Sequence, residues 1–366
     1  METTTAVPSL AQALDRLARR DRSALPVLSL YLNAQPDSRG KDHYSAFLRK
    51  ELRGRREDFE PRSPGRESIE KDIERIERYV EDEVRPSANG IAIFACAGDD
   101  FFEPLQLDAP IAEHRLTVGD RPHLAPLARI VDRYPRHAVV QANTNTAHIY
   151  VFGRGRTIER EDLSSEKISR TDTGGWSQMR YQRHVEDHYL HHAKDVVEAL
   201  ERIVTEDRAQ YVILCGDEVI VPLLQAELSK ELEAKVVATL RLDIRTPEPE
   251  VLAAAEEALA AHLVNADRER VEALRGEWRA GRLAVAGRRD VLQALENGQV
   301  EELVISPALQ TSVDDLVQRA ISTSARVRFV DDPGLLAEMD GVLAALRYKP
   351  GAAARDDSAV AREVEA

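Results

Sequence analysis

The chain has 366 residues, long enough for two or three cores rather than one, and its 43% hydrophobic and 31% charged content is that of an ordinary soluble protein. A formal charge of −14 argues against a general nucleic-acid binder, whose footprint is usually basic. The opening METTTAVPSL has neither a basic leader nor an apolar segment, and no apolar run approaches the length of a membrane span, so a cytoplasmic protein without a membrane partner is expected. Cys96 and Cys215 each end a strand-like apolar run, which suits buried thiols; two cysteines build neither a disulfide framework nor a zinc motif.

In chain order, PVLSLYLN (Pro26 to Asn33) is rich in strand formers and ends at the turn signal Asn-Ala-Gln-Pro-Asp. Charged helical patterns follow at about Tyr44 to Glu57 and Ser68 to Glu83. Between Arg39 and Arg66, nine basic residues stand against five acidic ones, a local patch that reads as a solvated helix face or an RNA contact. GIAIFACAGDDFFEPLQL is a buried strand, an acidic turn at Gly98 and a second strand, so this region predicts an antiparallel sheet with helices on one face.

After ARIVDRYPRH, the segments HAVVQAN and AHIYVFGR form a hairpin across Thr-Asn-Thr. Gly153-Arg-Gly155 fails as a dinucleotide motif because no helix follows and the third glycine is missing. A helix with Val185, Tyr189, Val196, Leu200 and Ile203 on one side comes next, then the strand YVILCG, the helix VIVPLLQAELSKEL and the strand KVVATLRL. A long charged helix starts near Thr246 and Pro247, and beyond it alternating helices and strands predict an α/β/α sandwich. The closing GAAARDDSAVAREVEA reads as a disordered tail.

The stretch TDTGGWSQMRYQR concentrates the functional signal. Gly174 and Gly175 permit positive φ and close backbone approach to another surface, and a helix follows at once. On that helix Arg180, His184, His188, His191 and Asp195 recur at spacings of three and four and share one side. His184, His188 and His191 could approach one metal ion, but no glutamate sits in a zincin-type position, and solvated histidines are commoner. No metal is therefore expected, and an RNA-facing stripe with Arg180 and Arg183 on phosphates is the better functional reading.

With these residues assembled, the chain resembles the archaeal and eukaryotic class-1 release factors and their Pelota relatives, in particular the bacterial branch of that superfamily. GGWSQMRYQR is similar to the family's GGQ loop and the helix after it, with Gly174, Gly175, Ser177, Arg180, Tyr181 and Arg183 matching without a gap. NGIAIFACAG with FFEPLQLDAPI, and LAVAGRRDVLQALENGQVEELVIS with the closing DGVLAALRY, resemble patches of the family's first and third domains. Trp176 stands where the catalytic glutamine belongs and Gln178 lies two residues later, which is closer to the Vms-like, GGxxQ-type peptidyl-tRNA hydrolases. The Asn-Ile-Lys-Ser and Tyr-x-Cys-x-x-x-Phe stop-codon readers are missing, so decoding is not expected.

The resemblance implies a mixed α/β protein in the three-domain release-factor-like arrangement. Its expected parts are an N-terminal segment (1–23), an α+β N-terminal domain (24–132), a central mixed-sheet RNase H-like domain with the glycine loop (133–266), a C-terminal α/β/α ribosomal-protein-like sandwich (267–350) and a tail (351–366). It also implies a ribosome-associated peptidyl-tRNA hydrolase acting in ribosome rescue, with Gly174, Gly175 and Gln178 as the catalytic loop. Trp176, Ser177, Arg180, Arg183, His184 and His188 would then contact RNA. The implied partners are ribosomal RNA and peptidyl-tRNA, with a possible delivery GTPase; no cofactor and a monomeric state are expected. The alternative is a non-catalytic ribosome-binding or hibernation factor, in which Trp176 stacks in the tRNA-accepting site; the same indole also suits an anchor fixing the loop to its own domain.

Overall fold

The computed structural model describes residues 10–35, 44–107, 109–153, 156–164, 176–306, 309 and 313–349, with backbone alone at 156–159 and 176–184. It is a mixed α/β protein with three sheets. The described residues within 21–123 and 130–265 form one compact unit, and those within 1–20, 124–129 and 266–366 form the other.

The first sheet is antiparallel, in the order β3-β2-β1-β4, from β1 (Val27–Asn33), β2 (Gly90–Cys96), β3 (Phe101–Leu107) and β4 (Arg115–Gly119). Period-two alternation turns Leu28, Leu30 and Leu32 of β1 toward helices α2 (Tyr44–Glu57) and α3 (Pro64–Asp82), which meet them with Leu48, Leu52, Ile69 and Ile76. The opposite face carries Tyr31, whose ring meets Phe94 edge-on at 5.8 Å and whose hydroxyl donates to the His123 carbonyl at 2.6 Å. Helix α3 begins four residues before the predicted Ser68, because Ser63 accepts the Arg66 amide at 3.2 Å and Pro64 occupies the first turn.

The second sheet has the order β7-β6-β5-β8-β9, from β5 (His137–Ala142), β6 (Thr146–Gly153), β7 (Arg156–Ser164), β8 (Tyr211–Gly216) and β9 (Val236–Leu240). β5, β6 and β7 pair antiparallel, whereas β8 runs parallel to β5 and β9 parallel to β8. The long helix α5 (Trp176–Glu206) and α6 (Ile220–Glu227) cover one face; the N-terminal half of α8 (Glu248–Arg279) covers the other through Val251, Ala255, Leu259 and Leu263. One element left unassigned by the sequence reading and one correction arise here. The segment RTIEREDLS forms strand β7 despite its charge, since an edge strand needs only one strand partner. VIVPLLQAELSKEL divides at an extended Leu228, after which Ser229 caps the single turn α7 (Lys230–Glu233) by accepting the Leu232 amide at 3.3 Å.

In the other unit the sheet order is β10-β13-β11-β12, from β10 (Ala284–Ala286), β11 (Val300–Ile305), β12 (Arg326–Phe329) and β13 (Val342–Leu346), with β11 and β12 parallel. Helices α9 (Arg288–Glu296) and α10 (Val313–Ser322) pack on this sheet, and Val271 and Leu274 of α8 join Leu336 and Met339 in a core with Val304 and Leu343. Gly298 stops α9 at φ +66°, as its position after Asn297 predicts. The N-terminal helix α1 (Leu10–Ala18), which no sequence signal picked out, buries Leu10, Ala13, Leu14 and Leu17; it packs on α10, where Gln318 donates to the Ala18 carbonyl at 3.2 Å. Helix α4 (Ala125–Arg133) starts with the Ala125 amide bonded to Asp314 at 2.9 Å.

Candidate functional site

The site proposed from sequence lies at the head of α5, and burial along that helix defines what its elements can do. Five turns at 3.6 residues each put Glu186 at the angular position of Val204 and Val185 at that of Ile203. Val204 and Ile203 are 3% and 0% exposed, whereas Glu186 is exposed and Val185 only half-buried. The core-facing stripe of α5 thus loses its cover toward the N-terminus, and full burial begins at His192 and Ala193. From Val185 to His191, about 10 Å of helix, this stripe is half-covered or exposed, and the helical backbone continues back to Trp176.

Gly174 and Gly175 lie outside the described residues. Trp176, Ser177, Gln178, Arg180, Arg183 and His184 belong to the helical backbone at the head of α5, which begins at Trp176. His188 is half-buried, its ring 6.2 Å from that of Tyr189. His191 is exposed, with Nε2 3.9 Å from the Asp195 carboxylate. Among the described residues no group of three histidine, cysteine or acidic side chains is arranged to hold a metal.

One histidine escaped the sequence reading. His192, 2% exposed, lies on the apolar arc four residues before Val196, where α5 enters the core beside the β5–β6 turn. Burial lowers its pKa, against the backbone of Thr146 and the charge of Asp195, so the ring is held neutral, and its Nε2 has no hydrogen-bond partner among the described residues. The turn itself is built by Asn143, whose side-chain oxygen accepts the amides of Asn145 and Thr146 at 2.9 and 2.8 Å.

The strand that leads toward the glycines is held by charge on both faces. Asp162 of β7 accepts from Arg160 Nε at 2.8 Å and meets His148 Nδ1 at 2.5 Å, its cross-strand partner. The Arg160 hydrogen bond holds the Asp162 carboxyl below its usual range, with partial burial opposing and His148 adding. Arg160 also stands 5.4 Å over the Tyr150 ring and 3.7 Å from Glu248, while Arg202 of α5 pairs with Glu161 at 2.7 Å. Only the tertiary register brings these residues together, and no motif in the sequence marks them.

The basic run of the first region resolves into opposed rows. Arg49, Arg53 and Arg56 of α2 line a groove of about 600 Å³, and Glu70, Glu74 and Glu77 of α3 line it as well. Arg55 pairs with Asp58 at 3.2 Å and Arg66 with Glu70 at 2.7 Å. An acidic row beside the arginines weakens the case for a phosphate-binding patch on this groove.

No curated protein matches the chain. Among solved structures, archaeal translation termination factor aRF1 is 18% identical, with 93% of this chain and 97% of that chain covered and a TM-score of 0.27. S. cerevisiae Dom34, a translation termination-like factor involved in RNA quality control pathways, is 12% identical over 71% of this chain and 79% of that one, with a TM-score of 0.40. A chain of ribosome-bound archaeal Pelota and ABCE1 is 12% identical, with coverage of 94% and 95% and a TM-score of 0.42. Residues 122–260, the stretch that includes the second sheet, the glycine pair and all of α5, match the family model of bacterial archaeo-eukaryotic release factor family 10.

Proposed function

We propose that the chain is a ribosome-associated peptidyl-tRNA hydrolase that acts in ribosome rescue without reading stop codons. The observation that carries this reading is a helical finger, α5, that begins directly after a Gly-Gly pair and whose core-facing stripe is only half-covered or exposed between Val185 and His191. Such a finger can enter an RNA-walled cavity too narrow for the body of a domain. The family match over the same residues is consistent with it.

In this reading Gly174 and Gly175 let the backbone approach ribosomal RNA where a side chain would collide. The Gln178 amide and a backbone N–H orient one water toward the ester between peptide and tRNA and favour the oxyanion that forms. The water oxygen bonds to the carbonyl carbon, the ester C–O bond breaks, and the water's protons end on the tRNA hydroxyl and, after ionisation of the new carboxyl, in solvent. Trp176 and Ser177 shape the tip, while Arg180, Arg183, His184 and His188 contact RNA along the helix. The RNase H-like and ribosomal-protein-like assignments of the second and third sheets, the domain boundaries given above and delivery by a GTPase belong to the same proposal.

Ribosomes carrying labelled peptidyl-tRNA test it. Wild-type protein is expected to liberate peptide, whereas Gly175→Ala and Gln178→Ala each lower release at least about 100-fold while co-sedimentation persists. Full release by both variants would remove the assignment. Trp176, at the position next to the glycines, favours a second reading in which the protein fills the tRNA-accepting site without hydrolysis. Ribosome association with no peptide liberated by the wild type would select it.

A further inference from the structure

Helix α3 presents Ser68, Asp72 and Arg75 on one face, at i, i+4 and i+7, and all three clasp the turn between β2 and β3. Ser68 Oγ accepts the Gly98 amide at 3.0 Å, and Asp72 Oδ2 accepts the neighbouring Ala97 amide at 3.1 Å. Arg75 lies 3.8 Å from the Asp100 carboxylate and 4.7 Å over the Phe102 ring. The turn is a tight 3-10 segment, Ala97–Asp99, closed by Asp100 at φ +48°. Gly98 seats it so closely on Leu25 that a Cβ would come within 2.0 Å of Leu25 Cδ1.

Within this clasp Asp72 is anomalous. It is 0% exposed, and its second oxygen, Oδ1, has no hydrogen-bond partner among the described residues. A buried carboxylate with one oxygen unpartnered is costly when charged and tolerable when protonated. The surrounding groups do not remove that cost. From α3 they are Ser68 and Arg75, from the turn Asp99 and Asp100, and from the end of β2 the Cys96 thiol, 3.5 Å from the Ser23 hydroxyl. Burial pushes Asp72 up to about 6, with the Ala97 amide and the Arg75 charge acting in the opposite direction.

We propose that α3 and the β2–β3 turn form a proton-controlled latch with Asp72 as the switching group: closed when its carboxyl is neutral, and opening more often once the carboxylate can regain water. The sign follows from the two states. An open, hydrated Asp72 has an ordinary pKa of roughly 3.9, and the closed state binds its proton more tightly. The latch is therefore firmest below about pH 4 and loosens as pH rises through about 6. By the same linkage the opening constant grows about tenfold between pH 5 and pH 7.5. The inference is independent of the activity assigned to α5.

Amide hydrogen exchange at Ala97 and Gly98 in the full chain, corrected for intrinsic rates, is expected to report that rise, with the Asp72 carboxyl ¹³C resonance titrating near 6. Asp72→Asn should abolish the pH dependence, and Ser68→Ala should raise opening equally at every pH. A carboxyl midpoint near 4, or opening constants at Ala97 that do not change with pH in the wild type, would overturn the latch. The wild-type titration decides the matter even if Asp72→Asn fails to fold.

Discussion

Glu302 shows what a single buried charge contributes in this chain. It is 2% exposed on β11, and it survives as a carboxylate because Arg270 of α8 and Arg328 of β12 both bond to it, at 2.7 and 2.9 Å. Arg328 also reaches the buried Asp267 at 3.1 Å, so four charges tie α8 to the parallel strand pair. Burial alone would raise the Glu302 pKa, but the two guanidiniums outweigh it and hold it below the ordinary value. A depressed pKa contributes stability above the unfolded value of roughly 4.3 and loses it as pH falls through the folded value. Glu302→Ala, which leaves Arg270 without its carboxylate and Arg328 with Asp267 alone, is expected to cost about 1.5 to 3 kcal/mol, measured as lost exchange protection in β11 and β12 at pH 7. The wild type is expected to lose protection there as pH falls through the folded Glu302 value, and the variant to lack that contribution. The sequence offered no sign of this cluster, because Arg270, Glu302 and Arg328 lie in three separate elements and no motif links them. Alternation from Val300 turns Glu301 out and Glu302 in, but the two arginines that meet Glu302 come from α8 and β12.

At the level of elements, α5 behaves as two helices joined end to end. From His192 onward its apolar stripe is sealed against the sheet, and between Val185 and His191 the same stripe is half-covered or exposed. A kink confined to the turns before His192 should therefore separate folding from function. Glu186→Pro removes a helix hydrogen bond at an exposed position, at a local cost of about 3 kcal/mol. Peptide release should fall by an order of magnitude or more, while amide protection in β5 and β8 stays unchanged. Equal release by Glu186→Pro and wild type would show that the direction of this helix is irrelevant to the activity. Periodicity made α5 legible from the chain alone, since Val196, Leu200 and Ile203 recur at helical spacing and are all buried. It could not show where the cover ends, because Glu186 and Val204 occupy the same angular position. Strand β7 carries no such signal: its pairing with β6 comes from register, and its sequence is dominated by charge.

On the scale of the whole molecule, three sheets are distributed over two compact units, and the chain's own N-terminus helps to build one of them. Helix α1 places Leu10, Leu14 and Leu17 in the same unit as the last sheet, at 4%, 6% and 1% exposure. Deleting residues 1–20 removes this cover and is expected to destabilise that unit by roughly 5 kcal/mol, at about 1.5 to 3 kcal/mol for each leucine before relaxation. Differential scanning calorimetry of the full and shortened chains would register this as a lowered transition for that unit. An unchanged transition would mean that α1 contributes little. The surface charge of −14 is compatible with RNA binding only through local geometry, and α2 does not supply an uncontested basic face, since Glu70, Glu74 and Glu77 share its groove. No helix among the described residues is long and apolar enough to cross a membrane.

The amino-acid sequence by itself determined most of the elements: short apolar runs of strand formers for β1, β2, β5 and β8, helical spacing for α2, α3, α5 and α8, and the Gly-Gly pair ahead of a helix. These are local properties, written in neighbours a few residues apart. Tertiary structure alone decided the burial of Asp72, His192 and Glu302, the ionic grip on β7 and the place of α1. In each case the deciding contact joins residues far apart in the chain, and desolvation depends on everything that surrounds a group rather than on its neighbours in sequence.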